Sequence, residues 1–465
     1  MADRIAAINE AVNGIVWGPA MLALLVGIGV YYTFRLKFFQ ITGIGTWMKG
    51  TFGQLFSRRK AGYGAVTPFQ ALTTALAATV GTGNMVGVAT AIVAGGPGAI
   101  FWMWVSAFFG MMTKYAEILL SLHYRKRNDR GEWVGGPMHY ITGGMGRGFG
   151  WLAALFSLFG ALAAFGIGNM TQVNAIASSL ETALAELGLL SGVALPGEFS
   201  FFKFGVGVLL AILAGLVILG GMKRIGSFSE KLVPFMSVVY IAGSAVALVI
   251  QKEHLGPALA SIFSQAFTLP AAAGGALGYT MAKAMRYGVA RGVFSNEAGL
   301  GSAPIAHAAA DTDSPVKQGL WGIFEVFMDT IVICTITALV ILSSGVFTGP
   351  GSLDGAPLTI AAYQKAFGSF GIIFVTVSIC LFAFSTVLSW SLYGQRCFEF
   401  LTGGRGLGLY RLAFVLCIIV AAVIRLELAW DIADTLNGLM ALPNMLALIA
   451  LSGVVVRLSR NFFRK

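Results

Sequence analysis

Polar side chains are scarce in this chain, and those inside its apolar stretches gather at a few places. The run Leu76-Ala77-Ala78-Thr79-Val80-Gly81-Thr82-Gly83-Asn84-Met85-Val86-Gly87 mixes glycine with hydroxyl and amide side chains, a poor composition for a continuous helix. A helix interrupted here ends in free carbonyl oxygens, which suit Na⁺. The helix that restarts exposes free amide hydrogens and the positive end of its dipole, which suit a carboxylate. Gly81 and Gly83 permit the backbone angles of such a break, and Asn84 offers a neutral amide oxygen of the type that coordinates hard cations. No acidic residue lies between Val80 and Gly87, which fits a zwitterionic ligand that brings its own carboxylate. A second glycine-rich stretch, Pro270 to Met281 with Gly274, Gly275 and Gly278, leads into Lys283, Arg286 and Arg291 and is the other candidate for a break. Glu325 and Asp329, four residues apart, repel unless one is protonated or a cation lies near. Lys114 and Glu117, at i and i+3, can pair on one helix face.

The elements that must position these residues follow from composition. Of 465 residues, 57% are hydrophobic and only 11% charged, so the solvent is a bilayer. Apolar runs of about 20 residues, the length needed to cross one, recur along the whole chain. They are placed at 14 to 34, 68 to 94, 97 to 123, 149 to 180, 203 to 222, 228 to 250, 270 to 294, 320 to 345, 369 to 397, 407 to 424 and 430 to 457. The expected fold class is therefore an all-α polytopic membrane protein of about eleven transmembrane helices. The N-terminus is expected outside and the C-terminus inside, because most Lys and Arg, including Arg58-Arg59-Lys60, Arg125-Lys126-Arg127, Lys223-Arg224 and Arg464-Lys465, then face the cytoplasm. That topology accounts for the net charge of +11 without a nucleic-acid partner. The segment Leu36 to Lys60 is amphipathic, and either lies along the cytoplasmic interface or forms a solvated loop. The first apolar run lacks a small-residue cleavage site and reads as retained. The four cysteines show no metal or redox spacing. Paired interrupted helices, at the start of two five-span sets once the first span is set aside, point to a secondary transporter with a midplane site; close packing through small residues is the alternative.

The run Val80-Gly81-Thr82-Gly83-Asn84 is similar to the unwound first core helix of the leucine-transporter fold. Over its whole length the chain resembles the alanine or glycine:cation symporter family, within the amino acid-polyamine-organocation superfamily. The motifs are Thr82-Gly83-Asn84 leading into Gly95-Gly96-Pro97-Gly98-Ala99-Ile100-Phe101-Trp102-Met103-Trp104, then Lys114-Tyr115-Ala116-Glu117, and the block Arg291 to Pro304. The resemblance implies one transport domain: residues 1–60 an extra helix and interfacial segment, 61–250 and 251–457 two inverted five-helix repeats, and 458–465 a basic cytoplasmic tail. It also implies alternating access and symport of alanine or glycine with Na⁺ across a plasma membrane, the inner membrane in a bacterium, with no cofactor besides the co-transported ion. By analogy Thr82, Gly83 and Asn84 bind substrate, while Ser385 and Thr386 form the hydroxyl pair of a sodium site opposite carbonyls of Ala77 and Val80. The two hydroxyls could instead bond their own helix. Gln172 takes the substrate ammonium or bonds a neighbouring helix, and Trp390 walls the pocket or simply packs.

Ser295-Asn296-Glu297 with Arg291 is expected at the cytoplasmic end of the seventh span, as an inner gate or a helix cap. Proton coupling through a carboxylate such as Glu325 or Asp329 is the alternative to sodium. An ion channel would favour rings from identical subunits, and an enzyme would need more than the isolated His123 and His307.

Overall fold

The computed structural model describes residues 2–54, 61–190, 200–268, 280–349, 351–424 and 427–464. Helices dominate, as a bilayer requires of a chain whose backbone must satisfy its own polar groups. They begin with α1 (Ala2–Val16), α2 (Pro19–Arg35), α3 (Phe39–Thr42), α4 (Ile44–Thr51), α5 (Pro68–Thr79), α6 (Val86–Gly95) and α7 (Gly98–His123). A two-stranded hairpin, β1 (Lys126–Arg127) and β2 (Trp133–Val134), precedes α8 (Pro137–Tyr140), α9 (Gly150–Phe165), α10 (Thr171–Glu186), α11 (Phe201–Ile218), α12 (Gly221–Ile250) and α13 (Lys252–Ala266). The remainder comprises α14 (Met281–Asn296), α15 (Ala303–His307), α16 (Pro315–Val326), α17 (Thr335–Ser343), α18 (Gly355–Phe367), α19 (Ser369–Thr402), α20 (Leu407–Val423), α21 (Glu427–Ala450) and α22 (Ser452–Phe463).

Eight helical stretches among the described residues are long and apolar enough to cross a membrane. The other three expected spans are short or interrupted. The second is split into α5 and α6; α20 is apolar but short; the seventh is represented by α14. Pro270 to Met281, where a break was expected in that span, lies almost wholly outside the described residues. Two further spans carry π-helical turns, Gly166–Met170 between α9 and α10 and Phe327–Cys334 between α16 and α17. Such turns displace side chains from the regular helical register and concentrate at functional sites.

Helices α5, α7 and the middle of α19 form the buried interior, with Leu72, Ala75, Ala77, Met112, Phe382 and Val387 in its core. The periphery is apolar in the opposite sense, with Leu209, Leu213 and Leu216 of α11 and Phe235, Val238 and Val249 of α12 exposed. An outward apolar face of this extent is stable only against lipid. Within the amphipathic segment Leu36 to Lys60, α3 and α4 are helical and expose Ile41, Ile44 and Met48, while Trp47 is buried.

Candidate functional site

A reciprocal cap starts α5. The Thr67 hydroxyl accepts the Gln70 amide at 3.0 Å, and the Thr67 amide donates to Gln70 Oε1 at 3.1 Å, with Pro68 at the first helical position. The helix stops at Thr79. Val80 (φ −80°, ψ 83°) and Gly81 (φ −133°, ψ −150°) leave helical angles, one tight turn spans Thr82–Asn84, and α6 resumes at Val86. The expected break is therefore present, and it is buried from Ala77 to Met85.

Backbone groups freed inside a protein must find partners. The Gly81 amide donates to Asn84 Oδ1 at 2.9 Å. The Thr82 amide and hydroxyl both donate to Gln172 Oε1, at 3.4 and 3.0 Å. Gln172 is oriented in turn by its Nε2, which donates to the Ile167 carbonyl at 3.1 Å within the first π-helical turn. Gln172 thus reaches the break from α10. Asn174 does not; its amide donates to the Ile424 carbonyl at 3.2 Å, at the end of α20.

On the other side of the break, Thr386 Oγ1 donates to the Ala77 carbonyl at 3.0 Å, and Ser385 Oγ donates to the same oxygen at 3.2 Å. Three of the four expected cation ligands are therefore together. Neither hydroxyl bonds the Val80 carbonyl among the described residues, and both also bond the Phe382 carbonyl of their own helix. Each hydroxyl retains lone pairs for a cation, next to the negative end of the α5 dipole. Glycine at 81 leaves room for this contact, since a Cβ there would lie 2.4 Å from Thr386 Oγ1. Gly83 is less constrained, with a hypothetical Cβ 3.5 Å from Ser295 Cα.

Asn84 is held differently from the expectation of a free amide ligand. Its oxygen caps Gly81, and its Nδ2 donates to Asp329 Oδ1 at 2.7 Å. Asp329 is fully buried in the second π-helical turn and also accepts from Ser295 at 3.2 Å and Thr330 at 2.7 Å. A carboxylate absent from the 80–87 stretch is thus supplied from another span. Glu325, four residues earlier, lies in a separate environment: its carboxylate is 3.2 Å from Lys114 Nζ and 3.2 Å from His307 Nε2. Gln318 holds the other ring nitrogen of His307 at 2.8 Å. Lys114 accordingly pairs across to α16 and not with Glu117, which accepts from Asn444 at 2.5 Å and from the Gly301 amide at 3.1 Å.

Those contacts surround a second break. Helix α14 closes at Asn296; Glu297 (φ 55°), Gly299 (φ 92°) and Gly301 (φ 81°) take left-handed angles, and α15 begins at Ala303. Ser295 and Asn296 end α14 in the buried interior with Glu297 as its C-cap, so the cluster caps the close of a helix. Arg291 does not join them. It lines a separate cavity of about 110 Å³ with Asn13, Trp17 and Asp434. Glu297 accepts from the Trp390 indole at 3.0 Å and from the Ser302 hydroxyl, and Asn444 donates to the Gly299 carbonyl at 2.9 Å. Trp390 therefore joins α19 to the second break; it packs on Gly168, where a Cβ would lie 2.1 Å from its own. Sequence reasoning overlooked Glu297, Glu117 and Asn444 as a connected group. Ionisable residues inside apolar spans were the available signal, together with the glycine spacing of 299 and 301.

The sequence profile of the sodium:alanine symporter family matches residues 2–465. The sodium/alanine symporter AgcS of Methanococcus maripaludis is 48% identical over 464 residues, covering 99% of this chain and 97% of that protein. A probable sodium/glutamine symporter, GlnT of Bacillus subtilis, is 37% identical over 454 residues, covering 97% and 90%. Among solved structures, MhsT in complex with L-phenylalanine superposes with a TM-score of 0.57 at 14% identity, covering 85% of this chain and 90% of that one, which establishes the leucine-transporter type of fold. Matched from end to end, the chain belongs to the sodium:alanine symporter family, multi-pass membrane carriers of amino acids and not enzymes.

Proposed function

We propose that this carrier moves alanine or glycine together with Na⁺, by alternating access around the Val80–Asn84 break. The observation that carries the reading is the convergence of Ser385, Thr386 and the Ala77 carbonyl within hydrogen-bond distance at the end of α5. Oxygen ligands suit a hard cation, and neutral hydroxyl and carbonyl oxygens at a helix C-terminus suit a monovalent one. The substrate carboxylate then faces the amides of Thr82 and Gly83, and Gln172 either steadies that backbone, as its bond to Thr82 suggests, or turns toward the ammonium. Trp390 bounds the space one helical turn beyond Thr386, which favours a small side chain. The names of the relatives agree with sodium as the coupling ion, since AgcS is a sodium/alanine symporter.

A second reading, proton coupling, is favoured by one observation: the Asp329 carboxylate, which touches Asn84 of the break at 2.7 Å. One experiment separates the two. Purified protein in sealed vesicles should accumulate radiolabelled alanine or glycine under an inward Na⁺ gradient with equal pH on both sides. Equal accumulation under a proton gradient in sodium-free buffer refutes sodium coupling and leaves transport intact. Ser385→Ala with Thr386→Ala should raise the sodium concentration needed for half-maximal uptake; an unchanged value removes the pair from the site.

A further inference from the structure

We infer that the cleft between the end of α2, the α3–α4 segment and α22 binds the phosphate headgroup of an anionic phospholipid. The cleft has a volume of about 610 Å³, and Arg35, Lys37, Arg460 and Arg464 line it together with Phe39 and Phe463. Among the described residues no carboxylate lines it, and none of the four cations forms an ion pair. Four like charges around one opening repel one another, and a bound anion relieves that repulsion. The other large basic cleft, lined by Lys126, Arg127, Arg130, Arg396 and Arg405, also holds the carboxylates of Asp129 and Glu399. There Glu399 lies 2.7 Å from Arg130 and 2.6 Å from Arg396, so that part of its charge is already paired, unlike the four cations of the first cleft.

Backbone geometry supports a built site. Lys37 (φ 58°) and Phe38 (φ 55°) are consecutive non-glycine residues in the left-handed region, a conformation that L residues seldom adopt and that persists only where the surroundings enforce it. The turn folds back so that the Phe38 amide donates to the Thr33 carbonyl at 2.7 Å, which keeps Lys37 on the cleft wall. At the inner end, Tyr115 Oη and Ser459 Oγ are 2.7 Å apart and buried, so an occupant stops at the mouth of the bundle.

The surroundings choose a lipid over a free phosphate. Phe34, Phe38, Ile41, Ile44 and Phe463 are all exposed beside the cations, and a diacyl tail needs such an apolar exit. Helix α22 buries Val455 and Val456 and exposes Arg457 and Arg460, the pattern of a helix lying in the interfacial plane. The cleft sits where α2 and α7 end, and Arg125 to Arg130 follow α7 directly. The positive-inside rule turns that end to the cytoplasm, where anionic lipids concentrate.

The test is native mass spectrometry of the purified full chain in detergent, titrated with dioleoyl phosphatidylglycerol or dioleoyl phosphatidylcholine. Phosphatidylglycerol should bind at least tenfold more tightly. The variant Arg35→Gln/Lys37→Gln/Arg460→Gln/Arg464→Gln should lose that preference, whereas Lys126→Gln/Arg127→Gln/Lys223→Gln/Arg405→Gln, which removes the same charge elsewhere on that end, should keep it. Arg460→Glu alone should weaken binding at least threefold, a readout that survives if the fourfold variant fails to fold. Millimolar inorganic phosphate should leave the lipid bound. Equal affinity for the two lipids, an unchanged cleft variant, an equal loss in the control variant, or displacement by inorganic phosphate would each overturn the assignment.

Discussion

Gly81→Ala tests the proposed cation site by a steric route that alters no ligand. The added Cβ would lie 2.4 Å from Thr386 Oγ1, where real Cβ contacts essentially never come below 3.0 Å. Gly81 has a negative φ, so alanine incurs no left-handed strain and the effect is confined to the contact. Helix α5 and helix α19 are both buried here, so the Thr386 side chain must yield. Leaving its rotamer costs about 0.5–1.5 kcal/mol, and losing its 3.0 Å bond to the Ala77 carbonyl costs about 0.5–1.5 kcal/mol. Together these give about 1–3 kcal/mol, or a roughly 5- to 150-fold rise in the sodium concentration for half-maximal uptake. The assay is initial uptake of labelled alanine into vesicles across a sodium series. Thr386→Ala removes the clashing oxygen, so Gly81→Ala should add little in that background, and the two effects should be strongly non-additive. Wild-type sodium dependence in Gly81→Ala, or full additivity in the double variant, would refute the assignment of Thr386.

Three further outcomes are expected. Asp329→Asn preserves an acceptor for Asn84 and should retain sodium-driven uptake within about threefold, whereas Asp329→Leu leaves the buried amide unpaired, at about 1–3 kcal/mol, and should lower uptake more than tenfold; equal losses in both would show that the charge itself is needed. Lys114→Met leaves Glu325 buried with only His307 beside it, a change of about 3–5 kcal/mol. It should depress the thermal unfolding midpoint in detergent, and Lys114→Met/Glu325→Gln should recover most of the loss. Burial raises the Glu132 carboxyl, but the Arg396 guanidinium 2.8 Å away, the Asn128 amide and the Arg130 charge together more than offset this and hold it below the usual carboxylate range. A depressed value contributes stability above the ordinary carboxylate pKa and loses it as pH falls through the lowered one. The protection of the β1–β2 amides, corrected for the intrinsic exchange rate at each pH, should therefore fall as pH drops below the ordinary carboxylate range, and Glu132→Gln should weaken that pH dependence.

The first break was legible because its cause is local. Gly81, Gly83, Thr82 and Asn84 are poor helix formers within one turn of sequence, and no distant contact is needed to see that the helix yields there. The membrane class and most spans were legible for the same reason, since hydropathy over about 20 residues is a property of the segment alone. The three hydroxyl and carbonyl partners of the proposed cation site were named through a family resemblance, and the structure brings Ala77, Ser385 and Thr386 together.

Other features depended on residues far apart in the chain. Lys114 and Glu117 have helical spacing that permits a pair, yet each finds a better-placed partner, Glu325 in α16 and Asn444 in α21. Glu325 and Asp329 look like repelling neighbours until the π-helical turn and separate partners divide them. The second break at Glu297 to Ser302 carries glycines at 299 and 301, but its polar groups are satisfied by Trp390, Glu117 and Asn444 from three other helices. The sequence by itself determined that this chain lives in a bilayer and that one helix must open at Val80, because those follow from the free energy of short segments. Only the tertiary structure decided which buried charges meet, because in a low-dielectric interior each must find a partner and spacing along one helix does not say whether the nearest lies on that helix or across the bundle.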